Sequence, residues 1–327
     1  MGYLVQQSKM GILTAMTELL TVLTWLWSQP SGRATYTAQH VNTWADMVRR
    51  NLTIPHRIAC VTDMPEGIDS RVSIIAPPRD FEHVRIPTWG EEKPQCLRRL
   101  AMFRRDASLI FGRRFVSMDM DCVIAGNIDD LFSRGEDLVL YKSPSGDIPN
   151  PRPYNGSMLM MTAGARPEVY ERFTPEGAVA AGQQYVGSDQ AWISHALGAG
   201  EATWSEEDGV VWWGRWKQGA QGRLMFFPGF PKPWDLLDDH EWIRLHYHRD
   251  RGGRCLVLGY APAVWSEAAK ALESGPFDAV IASPEAAEHW PGTITAIAKS
   301  DVHADRLVKM LGFDEVTFCG RSERVAA

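Results

Sequence analysis

The 327-residue chain is short of cysteine, and the five it has stand apart at Cys60, Cys96, Cys122, Cys255 and Cys319, with no C-x-x-C pair. An odd and scattered set excludes a disulfide framework and a zinc ribbon, and it fits a reducing compartment. Excess charge of one sign is equally scarce. With 34 Lys and Arg against 40 Asp and Glu the net charge is −6, which argues against a broad basic face that grips nucleic acid. Arginine pairs at Arg98-Arg99, Arg104-Arg105 and Arg113-Arg114 read as solvated helix and turn surface. There is no repeat at fixed period, no low-complexity tract and no G-x-G-x-x-G fingerprint. A membrane-spanning run is missing too. Met10 to Trp27 is apolar, yet Glu18 sits inside it, only Lys9 stands in place of a basic n-region, and no small-residue cleavage site follows. It is also short for a span. The expectation is a short helix over Ile12–Leu20 leading into a buried strand, in a cytoplasmic protein without a transmembrane segment.

What is present is an alternation of strands and helices. "LTVLTWLW" (Leu20–Trp27) is a continuous β-branched and aromatic run, the pattern of a strand buried on both faces. Val41, Trp44, Ala45 and Val48 recur at helical spacing within Thr37–Asn51. Further strands are expected over His56–Thr62, Val72–Pro77, Arg114–Asp121, Asp137–Lys142 and Gly156–Thr162, with helices over Gln95–Asp106 and Gln190–Leu197. This order predicts a mixed, mostly parallel α/β sheet flanked by helices. From Cys255 the rhythm restarts, with strands at "CLVLGY", "FDAVIAS", "TITAIAK" and "EVTFCG" and helices over Ala263–Leu272 and Val302–Leu311. The expected division is a main domain over 1–250 and a small α/β accessory module over 251–327.

The most informative segment is "FVSMDMDCVIAGNIDDLF" (Phe115–Phe132), where an apolar strand runs into Asp119-x-Asp121. Residues two apart on a strand share a side, so both carboxylates can meet one hard cation, Mn²⁺ or Mg²⁺, the usual partner of a diphosphate. The same D-x-D also serves as an ordinary solvated strand end, and the spacing leaves both readings open.

Here the chain resembles glycosyltransferase family 8, the family of glycogenin and the bacterial lipooligosaccharide galactosyltransferases. An apolar strand, D-x-D, a second apolar stretch and "NIDDLF" occur in the family's order. "KPQCLRRL" (Lys93–Leu100), "YNGSMLMM" (Tyr154–Met161), "GSDQAWIS" (Gly187–Ser194) and "FPGFPKPWD" (Phe227–Asp235) continue it. The resemblance covers about Leu20 to Asp235. It implies a GT-A (Rossmann-like) fold and a retaining glycosyltransferase that draws on a nucleotide-sugar donor, a UDP-sugar in most relatives. It places Mn²⁺ (or Mg²⁺) on the diphosphate with Asp119 and Asp121 as ligands. Lys93 would reach the phosphates or the sugar, Asn155 the sugar hydroxyls, and Gly229 and Lys232 the diphosphate. Tyr36 would lie near the nucleobase, and Asp189 and Gln190 beside the anomeric carbon, with Asp189 also suited to cap its helix. Retention would proceed by front-face displacement, because no carboxylate stands out as a nucleophile.

One position departs from the family. Three residues before Gly229, where relatives carry a metal-ligating histidine, stands Phe226. His246 and His248, at alternate positions of an expected strand, are the candidates to replace it. That departure also supports a rival, a non-catalytic nucleotide-sugar-binding protein of the same fold. A sugar nucleotidyltransferase fits less well, since "SQPSGR" after Trp27 is a poor version of that class's glycine-rich loop. The acceptor is open: a glycan, a lipid-linked sugar, a protein side chain or a modified nucleobase. Trp204, Trp212, Trp213 and Trp216 either line an acceptor cleft or pack a loop onto the core. The small module would serve the acceptor or a second subunit of a homo-oligomer.

Overall fold

The computed structural model describes residues 19–28, 35–90, 93, 95–143, 151–217, 219–249, 254–258, 279–282, 296–297 and 315–319. The main strands are β1 (Leu20–Leu26), β2 (His56–Thr62), β3 (Ser73–Ile75), β4 (Arg114–Met118), β5 (Cys122–Ile124), β6 (Leu138–Lys142), β7 (Tyr154–Thr162), β8 (Ala202–Trp204), β9 (Val210–Trp212) and β10 (Leu224–Phe226). Seven form one sheet in the order β3-β2-β1-β4-β7-β6-β8. The first four run parallel, β7 is antiparallel to β4 and β6, and β8 is parallel to β6. This is the mixed, mostly parallel, helix-flanked sheet that the alternating pattern predicts.

The sequence of β1 explains why it is central. All seven residues are buried, with Val22 and Leu26 entering one core cluster and Leu23 and Trp25 the other. Trp25 Nε1 donates to Ser117 Oγ at 2.9 Å and ties β1 to β4. One face is covered by α1 (Ala38–Asn51), whose Val41, Trp44, Ala45 and Val48 are all fully buried. The other face carries the helices Pro175–Gln184 and Asp189–Leu197 and a 3-10 helix over Leu97–Phe103. The sequence pattern asks for an α-helix there. The tighter winding prevails because every third residue eclipses, so Leu97, Leu100 and Phe103, each at most 1% exposed, stack in one buried row.

A second sheet, ordered β5-β10-β9, brings remote chain to the end of β4. β10 runs antiparallel to β5, with Phe226 opposite Cys122, and the Phe227 N–H donates to the Asp121 carbonyl at 2.9 Å. Arg223 clamps the segment, its Nη1 and Nη2 donating to Asp130 Oδ1 and Oδ2 at 2.6 and 2.7 Å. Farther along, β11 (Arg254–Leu258), β12 (Ala279–Ala282), β13 (Ala296–Ile297) and β14 (Glu315–Cys319) make an all-parallel sheet of their own, ordered β13-β12-β11-β14. The helices expected over Ala263–Leu272 and Val302–Leu311 lie outside the described residues. So does nearly all of Ile12–Leu20, whose last residue opens β1. No helix among the described residues is long and apolar enough to cross a membrane.

An ion network pins α1 to the loop after β2 and to Arg249. Asp46 accepts from Arg49 and from Arg249, each at 2.6 Å, and Asp69 accepts from Arg71 at 2.8 Å and Arg249 at 2.9 Å. Hydrogen bonds from Arg71 hold the Asp69 carboxyl well below the usual carboxylate range. A carboxyl depressed on folding adds stability above its unfolded pKa, near 4, and loses it as pH falls through the lower folded value. Asp69→Asn is therefore expected to cost about 1 kcal/mol at pH 7, since Arg71 is half exposed and screened. It should also flatten the loss of melting temperature below pH ~4. An unchanged acid limb would count against the pairing.

Candidate functional site

The sheet order reverses between β1 and β4: β2 and β3 lie beyond β1 on one side, and β7, β6 and β8 beyond β4 on the other. In open α/β sheets the crevice for ligands lies outside the carboxyl ends at this point. β4 ends at Met118 and the chain leaves it as Asp119-Met120-Asp121 before β5. Met120, between the two aspartates, is 3% exposed and packs into the core.

Asp121 is tightly held. Its Oδ2 accepts the Tyr36 hydroxyl at 3.0 Å and the Lys232 ammonium. Lys232 is only 4% exposed. It also donates to the Phe227 carbonyl at 3.0 Å and stands 5.6 Å over the Tyr36 ring. Burial, followed by the Asp121 charge, pushes the Tyr36 phenol far up, so it stays a proton donor.

Asp119 Oδ1 accepts from Arg99 Nη1 at 3.1 Å. Burial pushes its carboxyl up to about 6, with Arg99 pulling down and the Asp121 charge adding to the rise. Because 30% of the side chain still meets solvent, water screens part of that push. Arg99 is the hub behind both acids. Its Nε stands 3.4 Å from Asp189 Oδ2, and its Nη2 donates to the Gly156 carbonyl. Burial opposes the guanidinium charge, and the carboxylates of Asp119 and Asp189 outweigh it, so its pKa is raised.

Asp189, 5% exposed, is the first residue of its helix, and Ser188 takes the cap position the sequence assigns to Asp189. The reason lies in the partners: Asp189 turns to Arg99, while Ser188 Oγ accepts the Cys96 N–H at 3.1 Å. Gln190 Oε1 accepts the Gly156 N–H at 3.1 Å, and Asn155 Oδ1 accepts the Ser157 N–H at 2.8 Å. Two networks thus lie side by side: Tyr36, Asp121 and Lys232 form one, and Arg99 with Asp119, Asp189, Gly156 and Gln190 forms the other, with Asn155 next to Gly156 in the chain.

Other sequence candidates are placed elsewhere. Lys93 sets its ammonium 4.6 Å from the centre of the Trp89 ring. Gly229 opens the loop to Lys232 in the left-handed region, at φ 79°, where a side chain would be strained. His246 and His248 are not on a strand: the helix Glu241–His246 ends there, because a helix can bury neighbouring Trp242 and Ile243 on one side and a strand cannot. Their carbonyls accept from Arg50 Nη2 and Nη1 at 2.7 and 3.2 Å. Among the described residues no three His, Cys, Asp or Glu side chains are grouped to hold a metal ion, so neither histidine completes a trio with Asp119 and Asp121. Phe226 is 1% exposed and packs on Tyr141 at 5.5 Å. Of the tryptophans, Trp204 and Trp213 are core, and Trp213 stacks between Trp216 at 4.8 Å and Phe227 at 5.1 Å.

Arg99 is the functional-site residue that the sequence reading missed by taking the arginine pairs as solvated surface. Arg105 is indeed largely exposed, but Arg99 is 6% exposed. The signal is the apolar setting of Arg99 within Leu97–Phe103, where Leu97, Leu100, Ala101, Met102 and Phe103 are all buried and leave no solvated side for it.

Fold and site together define a mixed α/β protein with a cluster of paired carboxylates and cations at the carboxyl ends of its central strands. No family model and no curated protein matches the chain. It is similar to the solved structure of the galactosyltransferase LgtC in complex with donor and acceptor sugar analogs. The two are 11% identical over 66% of this chain and 89% of that one, with a TM-score of 0.43. The apo-form glycosyltransferase GlyE of Streptococcus pneumoniae TIGR4 is 12% identical over 92% and 80%, at 0.41. The apo bifunctional WbbM is 12% identical over 70% and 50%, at 0.43. Overlaps this distant carry no weight on donor, metal or mechanism.

Proposed function

We propose that this protein is a glycosyltransferase that moves a sugar from a nucleotide-sugar donor, a UDP-sugar, to an acceptor with retention of the anomeric configuration. The carrying observation is the pair Asp119 and Asp121 at the carboxyl end of β4, beside the sheet's switch point, with Arg99 and Lys232 as their cations. The residues fit a hard divalent cation. Two carboxylates are a protein donor set that Mg²⁺ and Mn²⁺ accept, water and phosphate oxygens supplying the remaining ligands. Bound there, Mn²⁺ or Mg²⁺ would supply neutralisation of the departing diphosphate.

The chain's own residues carry the rest of the proposal. Asp119 and Asp121 hold the cation, and Lys232 supplies a point charge to the phosphates across the loop that Gly229 opens. Gln190 and Asp189 face the anomeric carbon, oriented by Gly156 and Arg99. Asn155 borders the sugar, and Tyr36 keeps Asp121 in place. A second reading, a nucleotide-sugar-binding protein without turnover, is favoured by one feature: the core position of Phe226, where the resemblance calls for a ligating histidine.

Thermal melting tests the donor site. UDP at 100 times its Kd is worth about 2.7 kcal/mol to the folded state, a rise of roughly 4 °C for a chain of this size. That rise is expected for UDP with Mn²⁺ and not for GDP, CDP or ADP. If no nucleotide moves the melting temperature with Mn²⁺ present, the proposal is wrong. Release of UDP from a UDP-hexose then separates the enzyme from the binding protein.

A further inference from the structure

The Asp121–Lys232 pair has an unusual property for a diphosphate and metal site: it is already closed. Asp121 is 8% exposed and Lys232 4%, and the ammonium sits on the carboxylate oxygen Oδ2 that also takes the Tyr36 hydroxyl. A divalent cation arriving alone must displace that ammonium. It would leave a buried lysine with the Phe227 carbonyl and the face of the Tyr36 ring but no counter-charge among its described partners, and a buried charge stripped of its counter-ion is strongly unfavourable.

A diphosphate changes the balance. It offers Lys232 new anionic oxygens at the moment Asp121 is given up. The backbone of Lys232 stays anchored, since its N–H donates to Asp235 Oδ2 at 2.9 Å at the start of the turn Pro233–Asp235. The exchange therefore needs only a swing of the four-carbon stem, for which lysine is suited. The charges agree. Asp119, Asp121 and Asp189 face Arg99 and Lys232, one negative charge in excess. A cation alone would turn this into an excess of one positive charge, and the diphosphate brings the anion that absorbs it.

We propose that Lys232 is an internal stand-in for the divalent cation: it holds Asp121 shut in the free protein, so that cation and diphosphate enter together and neither binds well alone. The inference rests on the donor-site reading above. It assigns Lys232 two successive partners, Asp121 when the site is free and phosphate when it is filled.

The test is titration calorimetry of wild type and Lys232→Met with Mn²⁺ alone, UDP alone, and UDP in saturating Mn²⁺. Wild type is expected to bind Mn²⁺ alone weakly, with UDP and Mn²⁺ each raising the other's affinity. Lys232→Met should bind Mn²⁺ alone about tenfold more tightly or better, and the mutual enhancement should shrink by a similar factor. Adding Asp121→Asn to Lys232→Met must remove the gain. If Lys232→Met does not fold, Lys232→Gln, which keeps a donor without the charge, takes its place with the same expectation. If UDP binds wild type with Mn²⁺ but removing the ammonium leaves affinity for Mn²⁺ alone unchanged, this inference falls and the donor site stands. If UDP does not bind wild type at all, both fall.

Discussion

Asp121→Asn is expected to cut donor turnover by about a thousandfold or more, the scale of losing one preorganised charge contact at a reacting centre. Release of UDP from a UDP-sugar reads the effect. The substitution keeps the volume of the side chain, and the amide oxygen still accepts the Tyr36 hydroxyl now 3.0 Å away. What disappears is the charge that would hold the cation and that now balances Lys232. The buried ammonium then keeps the Phe227 carbonyl at 3.0 Å, so stability should drop by about 1–3 kcal/mol without unfolding the chain. A variant that releases UDP at close to the wild-type rate would move the chemistry away from β4 altogether.

Arg99→Met carries the largest expected loss of stability, about 3–5 kcal/mol, read as a lower denaturant midpoint. One guanidinium pairs with Asp119 and Asp189 and donates to the Gly156 carbonyl. Methionine fills the space and leaves both carboxylates without their counter-charge. Arg99→Lys should recover only part, because a point charge cannot span three acceptors in a planar fork. Adding Asp189→Asn to Arg99→Met should recover more than it costs wild type, since the stranded charge is then gone. A loss below about 1 kcal/mol for Arg99→Met would mean the two carboxylates do not depend on this arginine.

Much of the architecture is legible in the chain itself. The unbroken run from Leu20 to Trp27 announces a strand buried on both faces, and its first seven residues lie fully buried as β1 between β2 and β4. The spacing of Val41, Trp44, Ala45 and Val48 announces α1. Asp119 and Asp121 are legible as a candidate site because an apolar strand leads straight into two carboxylates at the carboxyl end of a parallel strand, where such sheets take ligands. Other features are not. The stretch 241–248 carries histidines on alternate positions, His246 and His248, and that alternation competes with the packing of Trp242 and Ile243 against the core. A pattern of two residues and a pattern of one packed pair cannot be ranked without knowing what the segment packs against.

The sequence by itself determined six of the main sheet's seven strands, β8 excepted, the helix that covers one face and the strand end where the acids sit. These follow from local periodicity and from the burial that apolar runs demand. Only the tertiary structure decided the partners of those acids. Lys232 stands 111 residues from Asp121 and meets it because β10 pairs with β5. Arg99 lies in a 3-10 turn buried on nearly every side and meets Asp119, Asp189 and the Gly156 carbonyl from remote parts of the chain. Electrostatic pairing acts through space over a few ångströms, and spacing along the chain says nothing about it until the strands have set the register.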